Sequence, residues 1–318
     1  MKKIIQIEPW INDLELEELT KVVSSTFVTE SQLTKEFEKK TATYTKSKYA
    51  ISICNGTCAL FCCLKALNIG FGDEVIVPNI TFIATATAVI LTGAKVRLVD
   101  VNPSSGCLDP INLLTAINSK TKAIIPVHLY GIACEMDEIN NIAKKSNIYV
   151  IEDAAQGVGV KYKNKHVGTF GELGVLSYYG NKTITTGEGG MVLTNKSKLS
   201  KKIYMLKNHG REKKGTFLHE TIGWNFSFTE MQAALGISQM NKLNKIISIK
   251  KRIFDFYKEN INNKKLRMRS IPQSTTQAVH WFSNIHCDNA ENLESYLKKL
   301  SIPTRRLFFP MNKQPCFK

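Results

Sequence analysis

From Lys48 to Leu193, short apolar runs alternate with stretches of helical periodicity. The runs are 49–53, 74–77, 95–100, 123–129, 149–152, 174–178 and 191–194. They are rich in Val and Ile and almost unbroken in hydrophobicity, as strands buried on both faces are. Between them, 57–67 places Ala59, Leu60, Cys63 and Leu67 at helical spacing, and 136–145 does the same with Met136, Ile139, Ile142 and Ala143. This alternation predicts an α/β layered domain around a mainly parallel sheet. Ahead of it, 12–21 and 30–43 read as amphipathic helices. Behind it, 228–246 reads as a long helix with Thr229 as N-cap and Glu230 in the first turn. Residues 250–262 continue helically, with Ile253, Phe254 and Tyr257 on one side. From about Lys264 the pattern suggests strands and turns. The expected division is a large domain over 1–247 and a small, shortened C-terminal α/β domain over 248–318.

Composition narrows the class. The chain has 318 residues and is 43% hydrophobic, enough for a large core. No apolar run has the length of a membrane span, and Thr81–Ala94, the nearest, is short and threonine-rich. The start, Met1-Lys2-Lys3-Ile4-Ile5, soon meets Glu8 and Pro9 and lacks the apolar core of a signal peptide. A cytoplasmic protein with no membrane partner is expected. Of eight cysteines, four (Cys54, Cys58, Cys62, Cys63) crowd one segment. No second pair has zinc spacing, so no metal is expected, and they read as buried small apolar side chains in a reducing compartment. The formal charge of +16 comes mostly from dispersed lysines. They are not interleaved with aromatics, and no nucleic-acid-binding motif accompanies them, so nucleic acid is not an expected partner. A positive field does suit a small anionic substrate.

The candidate chemistry centres on Lys182, in S-Y-Y-G-N-K-T-I-T-T-G-E-G-G at 177–190. It stands between an apolar run and a glycine-rich turn. Asn181 separates it from Gly180, so the stretch is not a Walker A loop. Asp153 ends another apolar run. A lysine able to form a Schiff base and an aspartate for a pyridinium nitrogen are the pair that pyridoxal phosphate requires. Asn55-Gly56-Thr57-Cys58 lies between a strand and a helix, where backbone N–H groups can hold a phosphate. An ordinary N-cap is the alternative there. Phe82 follows a strand end and reads either as a stacking ring or as core. His128 and His209 also stand at element ends, functional or structural. The first strand runs into N-G-T-C and not G-x-G-x-x-G, which disfavours a dinucleotide-binding enzyme.

Taken in order, several segments resemble one family. They are N-G-T-C-A-L at 55–60, G-D-E-V-I-V-P at 72–78, T-F-I-A-T-A at 81–86, G-A-K-V-R-L-V-D-V at 93–101 and V-H-L-Y-G at 127–131. E-D-A-A-Q at 152–156, G-N-K-T-I-T-T-G-E-G-G-M at 180–191, N-H-G-R at 208–211 and Q-A-A-L-G at 232–236 complete the set. Over roughly Glu30 to Ile247 the chain resembles the DegT/DnrJ/EryC1/StrS sugar aminotransferases, and 180–190 is especially similar to perosamine-synthase-like members. The resemblance implies a type I pyridoxal-phosphate fold and a homodimer with active sites at the interface. By matching position, Lys182 is the Schiff-base lysine, Asp153 pairs with the pyridinium nitrogen and Gln156 lies near the ring oxygen. Phe82 stacks on the ring. Thr57 after Gly56, the Cys58 amide and Ser177 hold the phosphate, and Asn225 reaches the phosphate in the partner subunit.

The implied activity takes an amino group from L-glutamate, leaving pyridoxamine phosphate. It then passes the group to a keto carbon, C4, of a 4-keto-6-deoxy sugar nucleotide, in amino-sugar or surface-glycan biosynthesis. Lys182 argues against the dehydratase branch, which carries histidine there. The chain departs from the family pattern at Ser227, where arginine is common, at Asn312, where histidine is usual, and in ending at Lys318. The early end supports a second expectation, a catalytically silent relative that binds the cofactor or a sugar nucleotide as a sensor or assembly partner.

Overall fold

Two helices, α1 (Asp13–Ser25) and α2 (Gln32–Thr45), lead into the alternating region in a computed structural model that describes residues 5–213 and 215–317. Most of the Met1–Ile5 start, and the final Lys318, lie outside the described residues. The order continues β1 (Tyr49–Ile53), α3 (Gly56–Ala66), β2 (Glu74–Pro78), α4 (Ala84–Leu91), β3 (Lys95–Val99), α5 (Pro110–Ala116), β4 (Thr121–Ile124), α6 (Met136–Lys145) and β5 (Tyr149–Asp153). A small hairpin, β6 (Lys161–Tyr162) with β7 (Lys165–His166), precedes β8 (Leu173–Ser177), β9 (Gly190–Thr194), α7 (Ser197–Lys207) and α8 (Glu230–Asn260). The rest holds β10 (Leu266–Met268), β11 (Thr275–Gln277), β12 (Ile285–Cys287) and α9 (Ala290–Lys299).

Seven strands form one sheet in the order β1-β9-β8-β5-β4-β2-β3. The four pairs from β8 to β3 are parallel, while β9 runs antiparallel to both β1 and β8. The sheet is therefore mainly parallel, as its apolar runs predict. The carboxyl ends of β1, β2, β4, β5 and β8 all reach one edge, where open α/β sheets bind ligands. The antiparallel return through β9 sends the 178–189 loop along that edge. One apolar layer, with Phe37, Tyr178, Phe228 and Leu243, covers one face of the sheet, and a second, with Leu60, Cys63, Val89 and Ile203, covers the other.

Several expectations need correction. β3 is an edge strand whose burial alternates, with Lys95 and Arg97 turned toward solvent. The run expected over 123–129 stops pairing as a strand at Ile124, because Pro126 has no N–H to continue the ladder. The two helices expected over 228–246 and 250–262 are one 31-residue helix, α8, opened by a capping box between Thr229 and Gln232. No glycine or proline interrupts it at 247–249, so the expected domain division falls inside it. β11 pairs with β6 across that division. Cys54, Cys58 and Cys287 are only half-buried and Cys316 is exposed, so the expectation of buried thiols fits the other four.

The contact of α2 with α8 has a sharp requirement. A Cβ on Gly236 would fall 2.6 Å from the Phe37 ring. That ring is fully buried, stacked on Phe228 and packed on Tyr178. Alanine gains roughly 0.5–1 kcal/mol of helix propensity over glycine, but overpacking a fixed ring costs about 1–3 kcal/mol. Gly236→Ala should therefore lower the urea midpoint despite being the better helix former.

Candidate active site

β5 ends in two acids that point to opposite faces, as successive strand residues must. Glu152 is fully buried and accepts from His128 Nε2 at 3.0 Å and from the amides of Gly168, Phe170 and Gly171. Burial alone would raise its pKa, but the His128 and amide hydrogen bonds hold it below the usual carboxylate range. His128 also accepts from the Cys134 amide through Nδ1, so it is a structural histidine. His209 adopts a left-handed conformation, and its backbone bonds to Trp224 and His219.

Asp153, the last residue of β5, is 5% exposed. Its carboxylate accepts from the Thr85 hydroxyl at 2.7 Å and from the Ala155 amide at 3.1 Å. Burial raises its pKa, against the hydrogen bonds from Thr85 and Ala155 and the charges of Lys182 and His128. Lys182 lies in the loop from β8 to β9. Tyr178 pins that loop, its amide bonding Gly189 and its carbonyl accepting from Thr186 N and Thr185 Oγ1. Lys182 N donates to Tyr179 O at 2.9 Å. Burial lowers the Lys182 ammonium to about 8, and the charge of Asp153 opposes that fall. For both groups burial outweighs pairing.

The folded protein thus binds the Lys182 proton less tightly than the unfolded chain does. Between about pH 8 and the ordinary lysine range near 10.4, the unfolded state carries more protons, so stability contributed by this group rises with pH across that window. Protein stripped of cofactor should show a larger urea midpoint at pH 10 than at pH 8, relative to the same comparison in Lys182→Met.

The N-terminus of α3 meets the end of β8. A Cβ on Gly56 would stand 3.2 Å from Ser177 Cβ, so glycine lets the helix end come close beside Ser177. Asn55 caps the helix, with Oδ1 accepting from Cys58 N at 2.9 Å. This corrects the expected use of the Cys58 amide, which the cap occupies. The amides of Gly56 and Thr57, which have no intrahelical partner by position, remain for an anion.

Phe82 is 55% exposed, with its ring centroid 5.9 Å from that of Phe308. Gln156 accepts from Tyr130 N at 2.7 Å through its carbonyl oxygen. Its amide nitrogen is thus its remaining polar group. Asn225 is exposed and bridges to Asn208, and no contact within the chain joins it to Lys182 or Asp153 among the described residues. Sequence reasoning missed Thr85, Tyr130, Trp281 and Phe308. Tyr130 stacks on Phe308 at 5.2 Å and on Trp281 at 5.8 Å, and Trp281 covers Lys182.

The donor set fits pyridoxal phosphate. A buried carboxylate suits a cationic ring nitrogen, a lysine of lowered pKa suits an aldehyde carbon, and the α3 helix end with the Ser177 hydroxyl beside it suits a phosphate. The buried Asn181 Oδ1 beside Lys182 has no partner in the chain. Among the described residues no group of His, Cys, Asp and Glu could hold a metal ion, and no helix is long and apolar enough to cross a membrane.

The model of the DegT/DnrJ/EryC1/StrS aminotransferase family matches residues 9–318. GDP-perosamine synthase of Escherichia coli O157:H7 is 38% identical over 323 residues, covering 100% of this chain and 88% of that protein. UDP-2-acetamido-2-deoxy-3-oxo-D-glucuronate aminotransferase of Pseudomonas aeruginosa is 35% identical, covering 88% of this chain and 78% of that one. The crystal structure of an aminotransferase from Psychrobacter cryohalolentis superposes with a TM-score of 0.90 at 32% identity, covering 98% of this chain and 87% of that one.

Proposed function

The chain belongs to the DegT/DnrJ/EryC1/StrS aminotransferase family, and from that premise we propose that it moves an amino group from L-glutamate to C4 of a 4-keto-6-deoxy sugar nucleotide. It is a pyridoxal-phosphate-dependent sugar aminotransferase. The glutamate donor, the C4 position and a cytoplasmic place in surface-glycan synthesis are the finer parts of the proposal. The observation that carries it is the convergence of Lys182, Asp153 and the α3 helix end beside Ser177 on one edge of the sheet. The relatives' names, which specify nucleotide-linked sugars, support the substrate class.

Bound there, pyridoxal phosphate supplies an aldehyde carbon to capture amines and a ring that draws electrons from the carbon losing a proton. Asp153, through the carboxylate fixed by Thr85, keeps a proton on the ring nitrogen. Lys182 Nζ moves the substrate proton as general base and then acid. Its pKa of about 8 lets it do both near neutral pH. Phe82 offers a ring face, and the Gln156 amide nitrogen a donor to a ring oxygen. Gly56, Thr57 and Ser177 hold the phosphate, joined by Asn225 of the partner subunit. Near Asn225 in the chain, Phe217 is 90% and Ile222 81% exposed, apolar side chains that a second copy would cover.

The test is a coupled assay with pyridoxal phosphate and L-glutamate against 4-keto-6-deoxy sugars linked to GDP, UDP and dTDP. Formation of a 4-amino sugar from one of them is expected. No product from any, with folded and cofactor-bound protein, would overturn the proposal and favour a silent binding relative.

A further inference from the structure

Trp281 is brought to the site by β11, which pairs with β6, and by a close approach at Gly131. Val279 N donates to Gly131 O at 3.1 Å. A Cβ on Gly131, at φ +79°, would fall 1.7 Å from Val279 O, so only glycine lets the two segments meet. The indole is 6% exposed. Its Nε1–H donates to the carbonyl of Asn181 at 2.6 Å. Its ring centroid lies 4.0 Å from Lys182 Nζ. One side chain thus grips both the backbone just before Lys182 and the tip of the lysine itself. The Tyr130 ring, stacked on the indole with planes 29° apart, prevents it from swinging away.

We propose that Trp281 is a positioning residue for Lys182, its ring face holding the ε-ammonium and its indole N–H fixing the Asn181 carbonyl, so that the freed amine occupies one place. The proposal rests on Lys182 being the covalent lysine. A ring face attracts the ammonium and not the neutral amine. It therefore works with Asp153 and against burial in setting when Lys182 gives up its proton. The titratable and charged groups around this corner are Asp153 with Glu152 and His128 behind it, Tyr130 against the indole, Arg269 lying 5.7 Å from the Tyr130 ring, and Arg305, whose charge also acts on Tyr130. None of them lies between the indole and Nζ at their 4.0 Å separation.

The test labels the full chain, stripped of cofactor, with pulses of acetic anhydride across a range of pH. The Lys182 peptide is then quantified by mass spectrometry. The labelling midpoint reports the Lys182 ammonium, which lies near 8. Trp281→Leu should move that midpoint to lower pH by roughly 0.5–1.5. Tryptophans carrying one, two or three ring fluorines keep shape and the N–H donor while weakening the ring face. They should move the midpoint downward in steps, which a purely structural role would not do. The fluorinated proteins keep the test decisive if the leucine variant does not fold. A midpoint indifferent to fluorination would overturn the proposal. Borohydride reduction of the holoenzyme separately identifies the covalent lysine. A trapped lysine other than Lys182 would overturn the underlying assignment and leave the fluorine series readable on its own.

Discussion

Lys182→Ala should lower turnover by roughly 10²–10⁴-fold, the usual contribution of a positioned acid–base group. Cofactor that still binds should no longer be fixed to the chain by borohydride. The loss follows from two tasks that rest on one nitrogen, covalent attachment and proton movement. The fold should survive, because the substitution removes a buried ammonium whose burial already lowers its pKa to about 8. A small primary amine in the buffer should restore part of the rate, since it replaces the base but not its tether. A variant that keeps both wild-type turnover and a borohydride-fixable band would end the assignment.

Asp153→Asn should cost roughly 10²–10³-fold, in the range found when a preorganised electrostatic group is removed. The amide has the same shape and can still accept from the Thr85 hydroxyl, which sits 2.7 Å from the carboxylate. The charge is lost, and with it one acceptor, because the second carboxylate oxygen accepts from the Ala155 amide and an amide nitrogen cannot. A neutral amide cannot keep a proton on a ring nitrogen, so the electron-withdrawing power of the site falls. Turnover measured with the variant saturated in cofactor separates this effect from weaker cofactor binding. Activity within a few-fold of wild type under those conditions would remove Asp153 from the chemistry.

Much of this site could be read from the sequence because its demands are local. A strand must end, a glycine must follow and a helix must begin, and Asn55-Gly56-Thr57 and Asp153 each satisfy such a rule within a few residues. The seven runs of the sheet were legible for the same reason, apart from the edge position of β3 and the stop that Pro126 imposes. The capped Cys58 amide had a local signal, since asparagine before Gly-Thr is a favoured N-cap, the alternative weighed at that turn. Thr85 lies in a recognised segment, but its hydroxyl meets Asp153 only because α4 starts beside the end of β5. Trp281 had no local signal, and Phe308 stood only within the stretch that departs from the family pattern at Asn312. They stand about a hundred residues or more from Lys182 in the chain, and contacts between distant segments, such as the approach at Gly131, the bond from Met311 N to Asn79 O and the stacking on Tyr130, bring them in. The pairing of β11 with β6 was hidden similarly, because a three-residue strand carries too short a pattern to name its neighbour.

The two adjacent acids of β5 make the site sensitive to errors of counting. Glu152, held by His128 and three amides, is a permanent anion buried inside the scaffold. Asp153, with two donors, is adjustable and answers to whatever stands beside it. Their side chains differ by one step along a strand whose faces alternate. A one-residue slip of β5 would put Asp153 in the nest and Ala154 at the ligand edge, or Glu152 at the ligand edge and Ile151 in the nest. Such a protein could keep its α/β layers and still be inert. Among natural or designed length variants, those that preserve activity should therefore leave the register of Tyr149–Asp153 untouched and take up their changes in the turn before it.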